Sequence, residues 1–213
     1  MGNIPTKEEM LRFLEIRHGK ELQEKLSNAT VAVCGLGGLG SNIAVSLARA
    51  GIGHLILIDF DKVDISNLHR QQYRASQVRD YKTDALTGNL REINPYIRMT
   101  AHTERVTEDN FEKLLGEADI ICEAFDDAEA KAMLVNGVLE KMPDKYLIAA
   151  SGMAGLGSAN AIKTRKITGH FYLCGDNVSD AADDIGLVSS RVMICAAHQA
   201  HMVLRILAEE QEA

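Results

Sequence analysis

The sequence predicts an α/β fold in which a mostly parallel sheet carries helices on both faces. Short runs of consecutive apolar residues alternate along the chain with longer segments whose apolar positions recur at helical spacing. Continuous apolar runs are typical of parallel strands, because such strands are buried on both faces. A glycine-rich turn joins the first apolar run to a helical segment, as in a β–α–β unit. Two late apolar runs are close enough in sequence to pair as antiparallel strands.

The composition is that of a globular protein with a buried core. The chain has 213 residues, of which 46% are hydrophobic and 25% charged, and its formal net charge of −7 argues against a nucleic-acid-binding surface. No apolar run approaches the roughly 20 residues of a membrane span, and we see no signal peptide. The four cysteines form no close pair, which favours a reducing compartment. We expect a single cytoplasmic domain over residues 1–213.

The first part of the chain, residues 1–27, is predicted to be a helical extension. Residues 5–26 are rich in charge, and Gly19 is a candidate break between two helices. Such an extension either packs as an arm against another subunit or covers an edge of the sheet. The apolar positions at helical spacing are Met10, Leu11, Leu14, Leu22 and Leu26.

The glycine-rich turn follows the strand predicted at Val31–Cys34 and precedes a helix predicted at Leu39–Ala50. Its spacing, G-x-G-x-x-G, is that of a dinucleotide-binding turn, in which backbone N–H groups at the helix start hold a phosphate. A Walker motif is excluded, because Ser41-Asn42 occupies the place of the required Lys-Ser/Thr. The turn therefore predicts a Rossmann-like nucleotide site built on Gly35, Gly37, Gly38 and Gly40.

A second apolar strand, predicted at Leu55–Ile58, ends in an acid. Asp59 lies about 20 residues beyond the glycine turn, where an acid hydrogen-bonds a ribose hydroxyl in this class of site. The alternative is that Asp59 merely ends the strand or caps a turn. Asp61, two residues on, is a further candidate nucleotide contact.

The polar loop between Asp59 and Lys82 favours attack at a phosphate over hydride transfer. Asn67, Arg70, Gln71 and Lys82 follow the nucleotide strand, and such a set is unusual for hydride transfer, which creates no additional anion. Attack at a phosphate does build negative charge, which fixed cations stabilise. Solvated surface charge is the ordinary alternative for these side chains.

The remaining chain continues the alternation of helices and strands. Small residues at Met153–Gly157 could line the path of an extended peptide tail. Helices are predicted at 83–93, 104–115, 128–141 and 187–208, and strands at 97–101, 118–122, 146–150, 159–163 and 170–173.

The stretch GLGGLGSNIAVSLARAGIGHLILIDFDKVDISNLHRQQY resembles the ThiF/MoeB/HesA family, the bacterial relatives of ubiquitin-activating enzymes. The resemblance is densest over residues 27–95 and most like the short ThiF type called family 2. It implies ATP- and Mg²⁺-dependent adenylation of the C-terminal glycine carboxylate of a ThiS-like ubiquitin-fold sulfur carrier, with release of pyrophosphate. It also implies a role in thiamine thiazole synthesis.

The resemblance assigns roles to individual residues. Asp59 would bind the ribose, Asn67 and Arg70 would contact phosphates with support from Gln71, and Lys82 would stabilise charge on the attacked α-phosphate. A carboxylate is already a nucleophile at neutral pH, so positioning and cation placement suffice for catalysis. The phosphates would lie against the glycines of the turn, Gly35, Gly37, Gly38 and Gly40.

Two acids follow the strand predicted at 118–122. The family has an Asp-Asn pair here that helps to hold Mg²⁺, and Asp126 matches its aspartate while Asp127 replaces the asparagine. Mg²⁺ usually takes one or two carboxylates together with substrate phosphates. Asp127 is expected instead to cap the following helix.

Other features of the family match this sequence less well. Family members are commonly homodimers in which an N-terminal arginine reaches the partner's nucleotide, and Arg17 is the nearest counterpart. Cys174, expected near a loop, is a candidate for a covalent link to the carrier. Structural zinc is not expected, since the chain has no Cys-x-x-Cys pair. Inert packing is expected for the other cysteines, Cys34, Cys122 and Cys195.

Three alternatives stay open. The glycine turn also suits an NAD(P)-dependent oxidoreductase, for which the cations of the polar loop have no use. A non-catalytic scaffold could bind a ubiquitin-like partner, although the retained Asp59, Arg70, Lys82 and Asp126 argue for catalysis. ATP could also activate a different carboxylate, such as one on a modified tRNA, which the acidic charge balance disfavours.

Overall fold

The computed structural model describes residues 4–180, 182 and 185–212 and confirms the predicted α/β fold. The helices are α1 (Lys7–His18), α2 (Lys20–Asn28), α3 (Gly38–Ala50), α4 (Lys82–Ile93), α5 (Phe111–Leu115), α6 (Ala128–Lys141) and α7 (Ser189–Leu207). The strands are β1 (Thr30–Cys34), β2 (His54–Ile58), β3 (Arg98–His102), β4 (Ile120–Glu123), β5 (Tyr146–Ala150), β6 (Lys163–Lys166) and β7 (Phe171–Gly175).

All of these strands belong to one sheet, in the order β3-β2-β1-β4-β5-β7-β6. Every neighbouring pair is parallel except β6 and β7, which are antiparallel at the edge. The order reverses at β1, because β2 lies on one side of it and β4 on the other. Open α/β sheets bind ligands at such a switch point, outside the carboxyl ends of the strands.

Two apolar cores cover the two faces of the sheet. In β1, Val31 and Val33 face the core that contains α3, α4 and α7, whereas Ala32 and Cys34 face the core that contains α5 and α6. Successive strand residues point to opposite faces, so a strand buried on both faces is apolar along most of its length. The continuous apolar runs in the sequence therefore predicted a sheet that is covered by helices on both faces.

The N-terminal extension forms two helices that meet at Gly19, as predicted. Gly19 has a φ of +84°, a left-handed conformation that glycine adopts without strain. Thr6 and Glu9 form a capping box at the start of α1. None of the residues of α1 is buried, while α2 buries Gln23 and Leu26 and packs against α7.

The helix predicted at 104–115 is much shorter in the structure, because only Phe111–Leu115 is helical. Asn110 accepts a hydrogen bond from the Thr107 N–H (2.7 Å) and donates one to the Arg105 carbonyl (2.9 Å). Side chains that bond locally to the backbone compete with the helical ladder. These bonds hold the preceding residues in turns.

The late antiparallel pair exists, but its first strand lies further along the chain than predicted. Ala159–Ala161 forms a 3₁₀ turn that Ser158 caps by accepting from the Asn160 N–H (3.2 Å), and β6 begins at Lys163. The long helix predicted at 187–208 is α7. Among the described residues, no helix is long and apolar enough to cross a membrane.

Candidate nucleotide site

A pocket of about 520 Å³ opens at the carboxyl ends of β1, β2, β4 and β5. Elements distant in sequence meet here, because each of these parallel strands ends at the same edge of the sheet. Most of the sequence-predicted site residues line it: Gly35, Gly37, Gly38, Asp59, Asp61, Asn67, Arg70, Gln71, Lys82 and Asp126. Gly40 and Arg17 do not; Gly40 lies beneath the turn, and Arg17 lies on a separate groove beside α1.

Close backbone packing explains the glycines of the turn. Gly35 has a φ of +90°, and a Cβ added there would lie 2.7 Å from the Ala124 carbonyl oxygen. A Cβ on Gly40 would lie 1.8 Å from the Gly35 carbonyl oxygen, so helix α3 can approach β1 only at a glycine. Gly37 is the N-cap of α3 without a side-chain cap. The first N–H groups of α3 can therefore receive an anion.

Asp59 connects the second strand to the glycine turn. Its Oδ2 accepts from the Leu36 N–H (2.7 Å), and its Oδ1 accepts from the Asp61 N–H (2.7 Å). The residue is only 7% exposed. A carboxylate has about four acceptor sites, so these bonds fix its orientation and leave capacity for ligand hydroxyls.

Lys82 is the first residue of α4 and is 6% exposed. Its Nζ lies 2.8 Å from Asp61 Oδ2 and 3.5 Å from Asp59 Oδ2. The ammonium is thus held between two carboxylates at the edge of the pocket. An ammonium has three donors, and the two acids account for two of them.

The polar loop is anchored to the start of α3. Asn42 donates through Nδ2 to the Arg70 carbonyl (3.2 Å), and the Gln72 N–H donates to Ser41 Oγ (3.1 Å). Among the described residues, five buried side-chain polar atoms lack a hydrogen-bond partner, and two of them, Arg70 Nε and Gln71 Oε1, belong to residues that line the pocket. Because buried polar groups are normally paired, these two atoms indicate a polar ligand.

The two acids after β4 have different positions. Asp127 Oδ1 accepts from the Ala130 N–H (2.8 Å) and caps α6, as predicted. Asp126 is exposed and lines the pocket. The described part of the chain contains no group of three or more His, Cys, Asp or Glu side chains placed to hold a metal. A divalent cation would therefore need oxygens from a bound ligand in addition to Asp126.

A buried ion pair beside the pocket was missed from the sequence. Glu123, the last residue of β4, has a fully buried side chain, and both of its oxygens contact Lys131 Nζ at 2.6 and 2.8 Å. Burial raises the pKa of Glu123, and the Lys131 charge opposes that rise. A glutamate at the end of an otherwise apolar strand was the available signal.

An aromatic platform on the β2 side was also missed. The guanidinium of Arg105 lies 4.2 Å from the centre of the Phe60 ring, and both side chains line the pocket. Phe60 is 44% exposed, which is unusual for a phenylalanine. Its position directly after Asp59 was the signal in the sequence.

The cysteines are all buried, and this includes Cys174. Cys174 is the last but one residue of β7 and so lies near the loop that follows, as expected, but its side chain is fully buried. Burial raises its pKa to about 11, so the thiolate nucleophile is disfavoured. Burial likewise raises the pKa of the other three thiols, Cys34, Cys122 and Cys195.

The sheet order, the glycine turn and the acid after β2 define a nucleotide-binding protein of the Rossmann type. Within that class, the chain belongs to the ThiF family, whose sequence model matches residues 9–213. The family resemblance seen in the sequence is therefore confirmed.

The relatives are named for different activities. The chain is 37% identical over 142 residues to the tRNA threonylcarbamoyladenosine dehydratase of Bacillus subtilis, covering 66% of this chain and 55% of that protein. It is 36% identical over 126 residues to the sulfur carrier protein adenylyltransferase of Thermus thermophilus, covering 57% and 46%. Against the adenylyltransferase and sulfurtransferase MOCS3 of Culex quinquefasciatus, it is 38% identical over 127 residues, covering 59% and 29%. The chain thus spans about half or less of these relatives' lengths.

Solved structures share the fold over nearly the whole chain. The E. coli tRNA N6-threonylcarbamoyladenosine dehydratase TcdA in complex with ATP superimposes with a TM-score of 0.86, covering 98% of each chain at 20% identity. E. coli MccB superimposes with a TM-score of 0.70, covering 90% of this chain and 58% of that one at 24% identity. At these identities the likeness concerns the fold.

Proposed function

We propose that the protein is an ATP-dependent adenylyltransferase that activates the C-terminal glycine carboxylate of a ubiquitin-fold sulfur carrier protein. The observation that carries the proposal is the convergence of the glycine turn, Asp59, Arg70 and Lys82 in one pocket. Family membership supports the adenylyltransferase class, and the relative from Thermus thermophilus supports the carrier substrate. We also propose that residues 1–213 act as one cytoplasmic adenylation unit.

The positions of the pocket residues support one orientation of ATP. Asp59 at the end of β2 would bind the ribose, and the glycine turn would hold the α-phosphate against the start of α3. The adenine would then lie on the β2 side, beside the Phe60–Arg105 platform. Arg70 Nε would donate to phosphate oxygens, which gives the unpaired atom a partner. Asn67 and Gln71 would contact the same phosphates.

The chemistry requires no general base. A carrier carboxylate is ionised at neutral pH, and one of its oxygens forms a bond to the α-phosphorus. The bond between the α-phosphorus and the bridging oxygen breaks, and its electron pair leaves with pyrophosphate. Lys82 and Arg70 stabilise the charge that develops on the phosphate oxygens. The chain contributes positioning and electrostatic stabilisation.

Mg²⁺ fits the pocket only as an ion that the protein and the nucleotide would bind together. Asp126 would hold it together with phosphate oxygens, since the described residues offer no larger carboxylate group. When bound, Mg²⁺ would neutralise part of the charge on the phosphates.

A second candidate follows from the coverage of the fold. TcdA matches 98% of the chain, and the dehydratase from Bacillus subtilis is 37% identical to it. ATP-dependent activation of a modified tRNA is therefore the competing function. The net charge of −7 favours the protein substrate, because RNA binding gains most of its affinity from cations. We place the reaction in thiamine thiazole synthesis from the resemblance to the short ThiF type.

The deciding experiment is ATP–pyrophosphate exchange with a panel of ubiquitin-fold sulfur carriers that end in Gly-Gly, including ThiS. We expect exchange with at least one carrier and none with the same carrier lacking its last glycine. A tRNA carrying N6-threonylcarbamoyladenosine is tested in parallel. ATP turnover with that tRNA alone would establish the second candidate. Tight NAD binding without ATP binding would reverse the assignment in favour of an oxidoreductase.

A further inference from the structure

The nucleotide as placed above leaves the β5–β7 half of the pocket empty of phosphate ligands. Ribose and α-phosphate are fixed at the ends of β2 and β1, so the acyl substrate must approach from the other half. That half is lined by backbone, by small or apolar side chains and by one acid: Ser151, Gly152, Met153, Ala154, Ser179, Asp180, Leu187 and Val192. Among the described residues this lining contains no cation, and with Asp180 it suits an extended peptide of small residues better than a phosphate chain.

We propose that Arg191 and Asp176 are positioning residues that hold this half of the pocket in the shape that receives the acyl substrate. The inference rests on the proposed function and deepens it by assigning acyl-substrate affinity to a pair outside the nucleotide site. We define the acyl wall as residues 151–158 together with residues 175–179. The first segment follows β5. The second begins with the last residue of β7 and continues into the loop after it.

Arg191 ties the acyl wall to α7. The residue is 5% exposed and lies in the first turn of α7. Its Nη1 donates to the carbonyl oxygens of Gly157 (2.5 Å) and Ser158 (2.8 Å), and its Nη2 donates to Asp176 Oδ2. One guanidinium thus connects the far end of the first wall segment to the second segment. Nothing in the nucleotide chemistry uses this buried cation.

Asp176 extends the connection to the near end of the wall. Its Oδ1 accepts from the Val178 N–H (2.9 Å) and the Ser179 N–H (2.9 Å). Ser179 Oγ donates to Asp176 Oδ2 (2.9 Å) and accepts from the Ala154 N–H (3.0 Å). Burial acts to raise the pKa of Asp176, but the bonds from Ser179, Val178 and Arg191 outweigh it and lower the pKa to about 2. The carboxylate therefore stays charged at neutral pH.

The backbone of the wall depends on the same carboxylate. Gly152 has a φ of +76°, and a Cβ added there would lie 2.1 Å from Asp176 Oδ1. The Asp176 N–H donates to the Gly152 carbonyl (2.9 Å), and the Asn177 N–H donates to the Ser151 carbonyl (3.1 Å). Because the two segments are bonded directly and through Asp176, loss of the ion pair should loosen the lining while β5 and β7 stay paired.

The test measures Michaelis constants separately for ATP and for the active carrier in wild type, Arg191→Met, Arg191→Lys and Asp176→Asn. For Arg191→Met we expect the carrier KM to rise roughly tenfold or more, with the ATP KM within about twofold of wild type. Arg191→Lys and Asp176→Asn should fall in between, because each keeps only part of the network. Arg205→Met, on the same helix but bonded to the Glu212 carbonyl, is the matched control and should leave both constants unchanged.

Hydrogen–deuterium exchange provides a readout that does not need the carrier. Amides of residues 151–158 should exchange faster in Arg191→Met and Asp176→Asn, while affinity for a fluorescent ATP analogue is kept. If wild type shows no pyrophosphate exchange with any carrier, the proposed function fails, and this readout still tests the pair. Unchanged amide exchange, or an ATP KM that rises as much as the carrier KM, would overturn the inference. If Arg191→Met fails to fold, Arg191→Lys and Asp176→Asn are the test variants.

Discussion

At the scale of single residues, Lys82 and Arg70 look equivalent in the sequence, but the structure gives them different partners. Lys82 forms ion pairs with Asp61 and Asp59, and these contacts are part of the folded structure. The buried Nε of Arg70 has no partner among the described residues. Arg70 is therefore the cation whose loss should affect the ligand far more than the fold, because no protein acceptor depends on Nε.

An Arg70→Ala variant is expected to lose roughly 100-fold or more of the ATP–pyrophosphate exchange rate, since one preorganised donor to the developing charge is removed. Its stability should stay within about 0.5 kcal/mol of wild type. The rate is measured at saturating ATP, and stability by urea unfolding. Arg74→Ala is the control, because Arg74 pairs with Glu92 on the exposed surface. An Arg70→Ala rate equal to that of Arg74→Ala would contradict the role.

At the scale of elements, the glycine at the start of α3 has no room for a side chain, whereas the glycine in the middle of α4 does. Gly40 is in contact with the backbone of the turn that precedes it, and a Cβ there would collide with the Gly35 carbonyl. Gly88 in α4 has nothing within 4 Å of an added Cβ. Helical context is similar, so the difference between the two positions is packing.

Gly40→Ala and Gly88→Ala are therefore expected to change stability in opposite directions. Gly40→Ala should destabilise the protein by about 1–3 kcal/mol, because α3 must move away from β1, and should weaken ATP binding. Gly88→Ala should stabilise it by roughly 0.5–1 kcal/mol through helix propensity. Urea unfolding and titration with a fluorescent ATP analogue measure the two effects. Equal stabilities would show that the close approach of α3 to β1 is not required.

At the scale of the whole molecule, α1 carries large apolar side chains that the fold of one chain leaves exposed. Phe13 and Ile16 are 66% and 64% exposed on this helix. The dimer that the family resemblance implies would bury them, and Arg17 follows them directly. We therefore propose that α1 forms the subunit contact; the role of Arg17 at a partner's nucleotide stays a prediction.

Sedimentation velocity tests this contact. Wild type is expected to sediment as a dimer at micromolar concentration, and the double variant Phe13→Glu, Ile16→Glu as a monomer, because two buried charges oppose association. Ile167→Glu is the control, since Ile167 is 48% exposed in the turn between β6 and β7. A dimeric double variant, or a monomeric wild type, would remove α1 from the interface.

Much of the architecture followed from local pattern. Apolar runs make up most of the strands β1, β2, β4 and β5, and α6 was predicted at its observed bounds. The expectations failed where side chains bond to nearby backbone, at Asn110 and Ser158, because such bonds override helix and strand propensity. Local pattern also placed Cys174 near a loop, which is correct, but its burial follows from pairing with the strands on both sides.

The sequence by itself determined the order of the elements, the glycine turn and the kinds of side chain that follow β2, since these depend on neighbours in the chain. Tertiary structure decided which groups are committed to partners and which are left for a ligand. Lys82 meets its acids 21 and 23 residues away, Lys131 meets a glutamate at the end of β4, and Arg191 joins loops on two strands. Each of those pairings joins the carboxyl end of a strand to a helix, so it forms only once the chain has folded.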